Sequence, residues 1–97
     1  MDLPKDPKSC AYKICELAHE YGYLMDKYCD LKAQKAREWD DIRKDYKSDA
    51  GAERAWDRTI AGIEQMVIKG KLKSNENKMA ALKYWQNALT LEAKNQV

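Results

Sequence analysis

From Ser9 to Lys47 the chain has no proline and a single glycine, Gly22, and its apolar residues return at steps of three and four. Ile14, Leu17, Tyr21, Leu24, Tyr28 and Leu31 form one stripe, which Trp39, Ile42 and Tyr46 continue after a four-residue slip. That period is helical, and nothing in the run allows a strand pattern to compete with it. A second run of the same kind extends from Ala50 almost to the C-terminus. The expectation is an all-α chain: an extended lead over 1–8, a helix over 9–47, a turn at 48–50 and a helix over 51–95. A kink or break near Gly70, within 70–75, is left open. The two long helices form an antiparallel hairpin, joined into a helical bundle by assembly with further copies.

Local signals set the boundaries. Ser9 is the expected N-cap of the first helix, because Pro7 cannot sit deeper inside it. The slip from Leu31 through Lys35 to Trp39 is a stutter, which locally unwinds a left-handed supercoil. Gly22 costs the helix about 1 kcal/mol relative to alanine unless a neighbouring backbone needs its space. Ser48 or Asp49 caps the second helix, with Asp49 and Glu53 in its first turn against the positive end of the dipole. In that helix Ala52, Trp56, Ile60, Ile63 and Val67 share a face, and the stripe Ile60, Ile63, Val67, Lys71, Leu82, Trp85, Leu89 has a period near eleven residues, roughly that of a right-handed supercoil. Folding back at Ser48-Asp49 pairs positions whose numbers sum to about 98, by the equal rise of the two helices. Trp39 then approaches Thr59 and Ile60, Trp56 approaches Ile42, and Tyr28 faces Gly70.

A two-helix hairpin hides only the strip between its helices. This chain also carries Tyr12, Tyr23, Ile68, Leu72, Tyr84 and Leu91 beside the main stripe. A stripe that wide calls for further helices to cover it: a shorter three-helix bundle would supply them within the chain, and a homo-oligomer supplies them by assembly, with a dimer favoured.

Composition narrows the class. The 97 residues are enough for one domain, and at 35% charged residues no stretch approaches the roughly 18 apolar residues of a membrane span. The first residues have no apolar core, so no signal peptide is expected. Three cysteines, an odd number, suit reduced thiols in a cytosol, with Cys15 and Cys29 on or beside the apolar stripe as small hydrophobes.

The parts of a catalytic site are missing. Cys15 and His19 share a helix face, but a structural zinc site wants four ligands and Cys29 lies about four turns away. One histidine and no glycine-rich elbow leave no nucleophile, base and oxyanion donor to assemble. The carboxylate pairs Asp40/Asp41 and Asp26/Asp30 lie on an expected solvated face, where carboxyl groups make poor general acids. Neither an enzyme nor a cofactor is expected.

Charge is uneven. Residues 1–50 hold ten Lys/Arg against eleven Asp/Glu, whereas residues 51–97 hold eight against five. Lys69, Lys71, Lys73, Lys78 and Lys83, with Arg54 and Arg58, are the candidate contacts to nucleic acid or to a partner, since lysines neutralise phosphates. Trp85 reads as a core anchor rather than a base-stacking surface.

The order Ala18, Tyr21, Tyr28, Leu31-Lys32, Lys35, then Ser48, Ala52-Glu53-Arg54-Ala55, then Leu82, Trp85, Leu91 resembles a group of short all-helical proteins of tailed bacteriophages, often encoded beside recombination and single-strand-binding genes. That group usually has an arginine directly after the C-terminal tryptophan, where this chain has Gln86. The resemblance implies a phage origin, a host-cytoplasmic setting and a helical hairpin, and carries no catalytic residue. Two functions follow as expectations. One is a non-catalytic accessory to phage DNA recombination or replication, binding a protein or DNA. The other is an anti-defence inhibitor of the anti-CRISPR kind, in which Tyr23 and Tyr46 with Asp40, Asp41 and Asp45 present an anchoring, nucleic-acid-like surface to a host nuclease complex.

Overall fold

Asp6, not Ser9, starts the first helix of the computed structural model, which describes residues 3–95. Its carboxylate accepts from the Ser9 backbone N–H at 2.9 Å and from the Ser9 hydroxyl at 3.0 Å. Pro7 follows at the first helical position, where its missing N–H is no loss. The helix α1 runs Pro7–Lys44, α2 runs Asp49–Asp57 and α3 runs Ile60–Asn95, and the chain is an all-α helical hairpin. The expected ends at Ser9 and Lys47 thus move to Pro7 and Lys44. Ser48 caps α2 as expected, its hydroxyl accepting from the Gly51 N–H at 3.2 Å. Helix α3 passes through Gly70 and residues 70–75 without a break.

The interruption lies instead at Arg58-Thr59. The Thr59 hydroxyl donates to Trp56 O at 2.6 Å and accepts from Gly62 N at 3.0 Å, so it closes α2 and opens α3 in one stroke. This restart resets the helical phase. Ile60, Ile63 and Val67, expected inside, are exposed, whereas Ala61, Gln65, Ile68, Leu72, Asn75, Met79, Leu82, Gln86 and Leu89 are buried or half-buried. Those steps alternate four and three, a heptad seam rather than an eleven-residue period. In α1, Cys10, Ile14, Leu17, Tyr21, Leu24, Tyr28, Leu31 and Lys35 turn inward at the same alternation before the slip to Trp39.

The chain packs as two units. One comprises Met1–Tyr23 with Lys73–Val97, the other Leu24–Leu72. In the first, Cys10, Leu17 and Leu82 form the core, and burying each leucine contributes about 1.5–3 kcal/mol. Three polar contacts fix its antiparallel register. Tyr21 Oη donates to Glu76 Oε1 at 2.7 Å, Trp85 Nε1 donates to Pro4 O at 2.7 Å, and Gln86 Nε2 donates to Pro7 O at 3.1 Å. Trp85 is thus an anchor, and it holds the lead segment against α3. Gln86 is likewise structural, its side-chain amide tying α3 to the start of α1.

Buried Asn75 belongs to the same unit, and its Oδ1 has no hydrogen-bond partner among the described residues. A polar residue in a heptad seam costs stability and restricts register.

In the second unit Leu24, Leu31, Ala52, Trp56, Ile68 and Leu72 are buried. Tyr28 does not pack on Gly70, because no atom lies within 4 Å of where a Gly70 Cβ would stand. Gly22, in the first unit, is equally open, so no neighbouring backbone uses its space.

Cys15 and Cys29 are exposed, and Cys10 is the buried thiol, contrary to the expectation that the former two serve as core hydrophobes. Both exposed thiols fall one residue beyond an inward position, on the outer face of α1. Native protein treated with iodoacetamide should therefore alkylate Cys15 and Cys29 rapidly and Cys10 only on unfolding, read by peptide mass. Rapid labelling of Cys10 would contradict the packing described.

The polar contacts make stability depend on pH at both extremes. The Ser9 backbone and hydroxyl donors hold the Asp6 carboxyl below its ordinary range. That contribution is present above the unfolded pKa and disappears as pH falls through the folded one. Tyr21 moves the other way. Its hydroxyl must keep its proton to donate to Glu76, which raises its pKa. Stability from this bond is present below the ordinary tyrosine value of about 10 and is lost as pH rises through the folded value. Tyr21→Phe should accordingly flatten the alkaline limb of a stability–pH profile; an unchanged limb would show that the bond does not form in solution.

Candidate interaction surfaces

The turn after α1 is built by Arg43. Its guanidinium donates to Asp49 Oδ1 at 2.7 Å, to Lys47 O at 3.3 Å and to Tyr46 O. One side chain thereby ties the end of α1 to the start of α2 and sets Tyr46 beside it. Tyr46, Gly51, Arg54, Ala55 and Arg58 then line a cleft of about 300 Å³. Arg54 and Arg58 stand one helical turn apart, both exposed and with no ion pair among the described residues. Their position at the C-terminal end of α2 is favourable against the helix dipole, which is the purely structural account of them. Two arginines without ion pairs among the described residues, lining one cleft with Tyr46, also make that cleft cationic and suited to a phosphate oxygen.

The five lysines do not join them. All are exposed on α3. Lys69 and Lys71 differ by roughly 200° around the helix axis, and Lys73, Lys78 and Lys83 step by roughly 140° each. Within either unit they therefore form no single face. Lys69 also shares a cleft with Tyr28, Lys35, Asp57, Gln65 and Met66, so a carboxylate lines the same cleft. Lys35 is occupied. Its ammonium lies 5.6 Å from the Trp39 ring centroid and 3.7 Å from Glu53 Oε1.

The acidic group is exposed but loosely organised. Asp40, Asp41 and Asp45 occupy the last turns of α1 and its exit, and Asp41 pairs with Lys44 at 3.4 Å. Tyr46 lines the arginine cleft, and Tyr23 belongs to the other unit.

The least expected surface is apolar. Ile60 is 87% exposed, Ile63 49%, Met66 52% and Val67 51%, all on the side of α3 turned away from buried Ile68 and Leu72. Met66 borders the cleft it shares with Tyr28 and Lys35, and the strip as a whole stays about half exposed or more among the described residues. The signal that would have found it is the Thr59-x-x-Gly62 pattern, a helix start that makes any phase read across it invalid.

Among the described residues no group of three or more His, Cys, Asp or Glu gathers as metal ligands, and no helix is long and apolar enough to cross a membrane. Compared with protein-family models, with characterised proteins and with solved structures, the chain matches none.

Proposed function

We propose that this chain is a non-catalytic helical interaction protein of a tailed phage, working in the host cytoplasm as an accessory to DNA recombination or replication. It acts as a homo-oligomer and contacts nucleic-acid phosphates through Arg54 and Arg58. The observation that carries the reading is the cleft that Arg54 and Arg58, without ion pairs among the described residues, line together with Tyr46. Charge-assisted contacts of this kind hold a phosphate, and an adjacent ring gives an unstacked base a surface.

Fluorescence anisotropy with a labelled single-stranded oligonucleotide tests it. Affinity should fall steeply with added salt as counterions are displaced. The double substitution Arg54→Ala/Arg58→Ala should weaken binding about tenfold or more and shallow the salt slope, while Lys83→Ala changes it little. Absent or salt-insensitive binding would remove the nucleic-acid contact. Capture of a host nuclease subunit through Asp40, Asp41 and Asp45 would favour the anti-defence role instead.

A further inference from the structure

We infer that the exposed strip Ile60, Ile63, Met66 and Val67 on α3 pairs with the same strip of a second copy, antiparallel, about a two-fold axis at Val67. This gives the self-association proposed above its surface and register, and rests on that part of the reading alone, not on nucleic-acid binding.

The strip is large and wet. Four sizeable apolar side chains, each about half exposed or more, lie along roughly 10 Å of helix. Such contiguous exposure marks an interface more often than a free surface. Its charges say what covers it. Glu64 and Lys71 lie seven residues apart and so flank the strip on one edge, three residues before and four after Val67. Both are exposed, and neither has an ion-pair partner among the described residues. Turned end for end about Val67, a second copy brings its Lys71 beside Glu64 and its Glu64 beside Lys71. A foreign helix would have to supply that reversed pattern; this chain already contains it. A two-fold interface is self-complementary in this sense.

Shape agrees with charge. In the same register Ile63 of one copy comes over Gly70 of the other. No atom stands within 4 Å of where a Gly70 Cβ would be, so the space above Gly70 is open to receive it. Four apolar side chains from each copy then leave water together.

Sedimentation equilibrium of the full chain, without nucleic acid, tests the pairing. The wild type at high-micromolar concentration should have twice the 11.3 kDa chain mass. Ile63→Asp, an exposed position whose helicity can be checked by circular dichroism, should be monomeric. Glu64→Lys and Lys71→Glu should each weaken the dimer about tenfold, since each sets like charges together twice per dimer, and the double swap should restore it. Arg54→Ala/Arg58→Ala should keep the dimer mass, which separates this inference from the phosphate contact. A wild-type mass of one chain would overturn the inference. So would a dimer indifferent to Ile63→Asp, or a double swap no better than the single ones.

Discussion

Replacing Gly62 with alanine should cost about 3 kcal/mol or more of folding stability, because the new methyl has nowhere to go. A Cβ there would stand 2.0 Å from Trp56 O, 2.7 Å from Trp56 C and 2.9 Å from Asp57 Cα. All three are backbone atoms, so no side-chain rotation relieves the clash. The corner would have to open, and with it the Thr59 hydroxyl bonds to Trp56 O and Gly62 N. Gly22→Ala provides the control. It adds a methyl to a helix position with nothing within 4 Å and should stabilise by about 1 kcal/mol. Urea unfolding followed by circular dichroism measures both. Equal stability of Gly62→Ala and wild type would mean that α2 and α3 do not meet as described.

Trp56→Ala should be comparably severe, at about 3–5 kcal/mol, since Trp56 is 1% exposed and is the largest fully buried side chain. It also carries a polar bond, its indole N–H donating to Gln65 Oε1 at 2.9 Å. Trp56→Phe separates the two contributions. It keeps most of the apolar volume but leaves the Gln65 amide oxygen unpartnered, and should cost about 1–3 kcal/mol. If Trp56→Phe destabilised as much as Trp56→Ala, the hydrogen bond rather than the packing would be the dominant tie. Gln65 sits in the heptad seam of α3, so this bond also locks the phase in which that helix starts.

Much of α1 was legible from residue spacing. The inward residues Ile14 to Leu31 and the slip before Trp39 follow directly from where the apolar side chains lie. The turn at Ser48 was legible too, because a serine followed by a short polar segment has few alternatives to capping. Arg43 was not legible: its guanidinium reaches backbone carbonyls and Asp49, and no local pattern marks a long side chain folding back over its own turn. The candidate site was legible only in part. Arg54 and Arg58 were visible as a pair one turn apart, whereas their meeting with Tyr46 depends on the geometry of the turn between α1 and α2. The five lysines suggested a patch because they are close in sequence, but helical rotation separates them.

Helix was imposed by local chemistry alone: a long stretch without proline, residues of high helical propensity, and apolar side chains every three to four positions. Which side of α3 faces inward was settled only by tertiary structure. That segment offers two apolar stripes, Ile60-Ile63-Val67 and Ile68-Leu72-Leu82, and each has the spacing of a buried helix face. Periodicity cannot choose between stripes of similar quality. The choice is made by the corner at Thr59, where a buried tryptophan, a glycine without room for a methyl and a seam glutamine admit one starting phase and leave the other stripe in water.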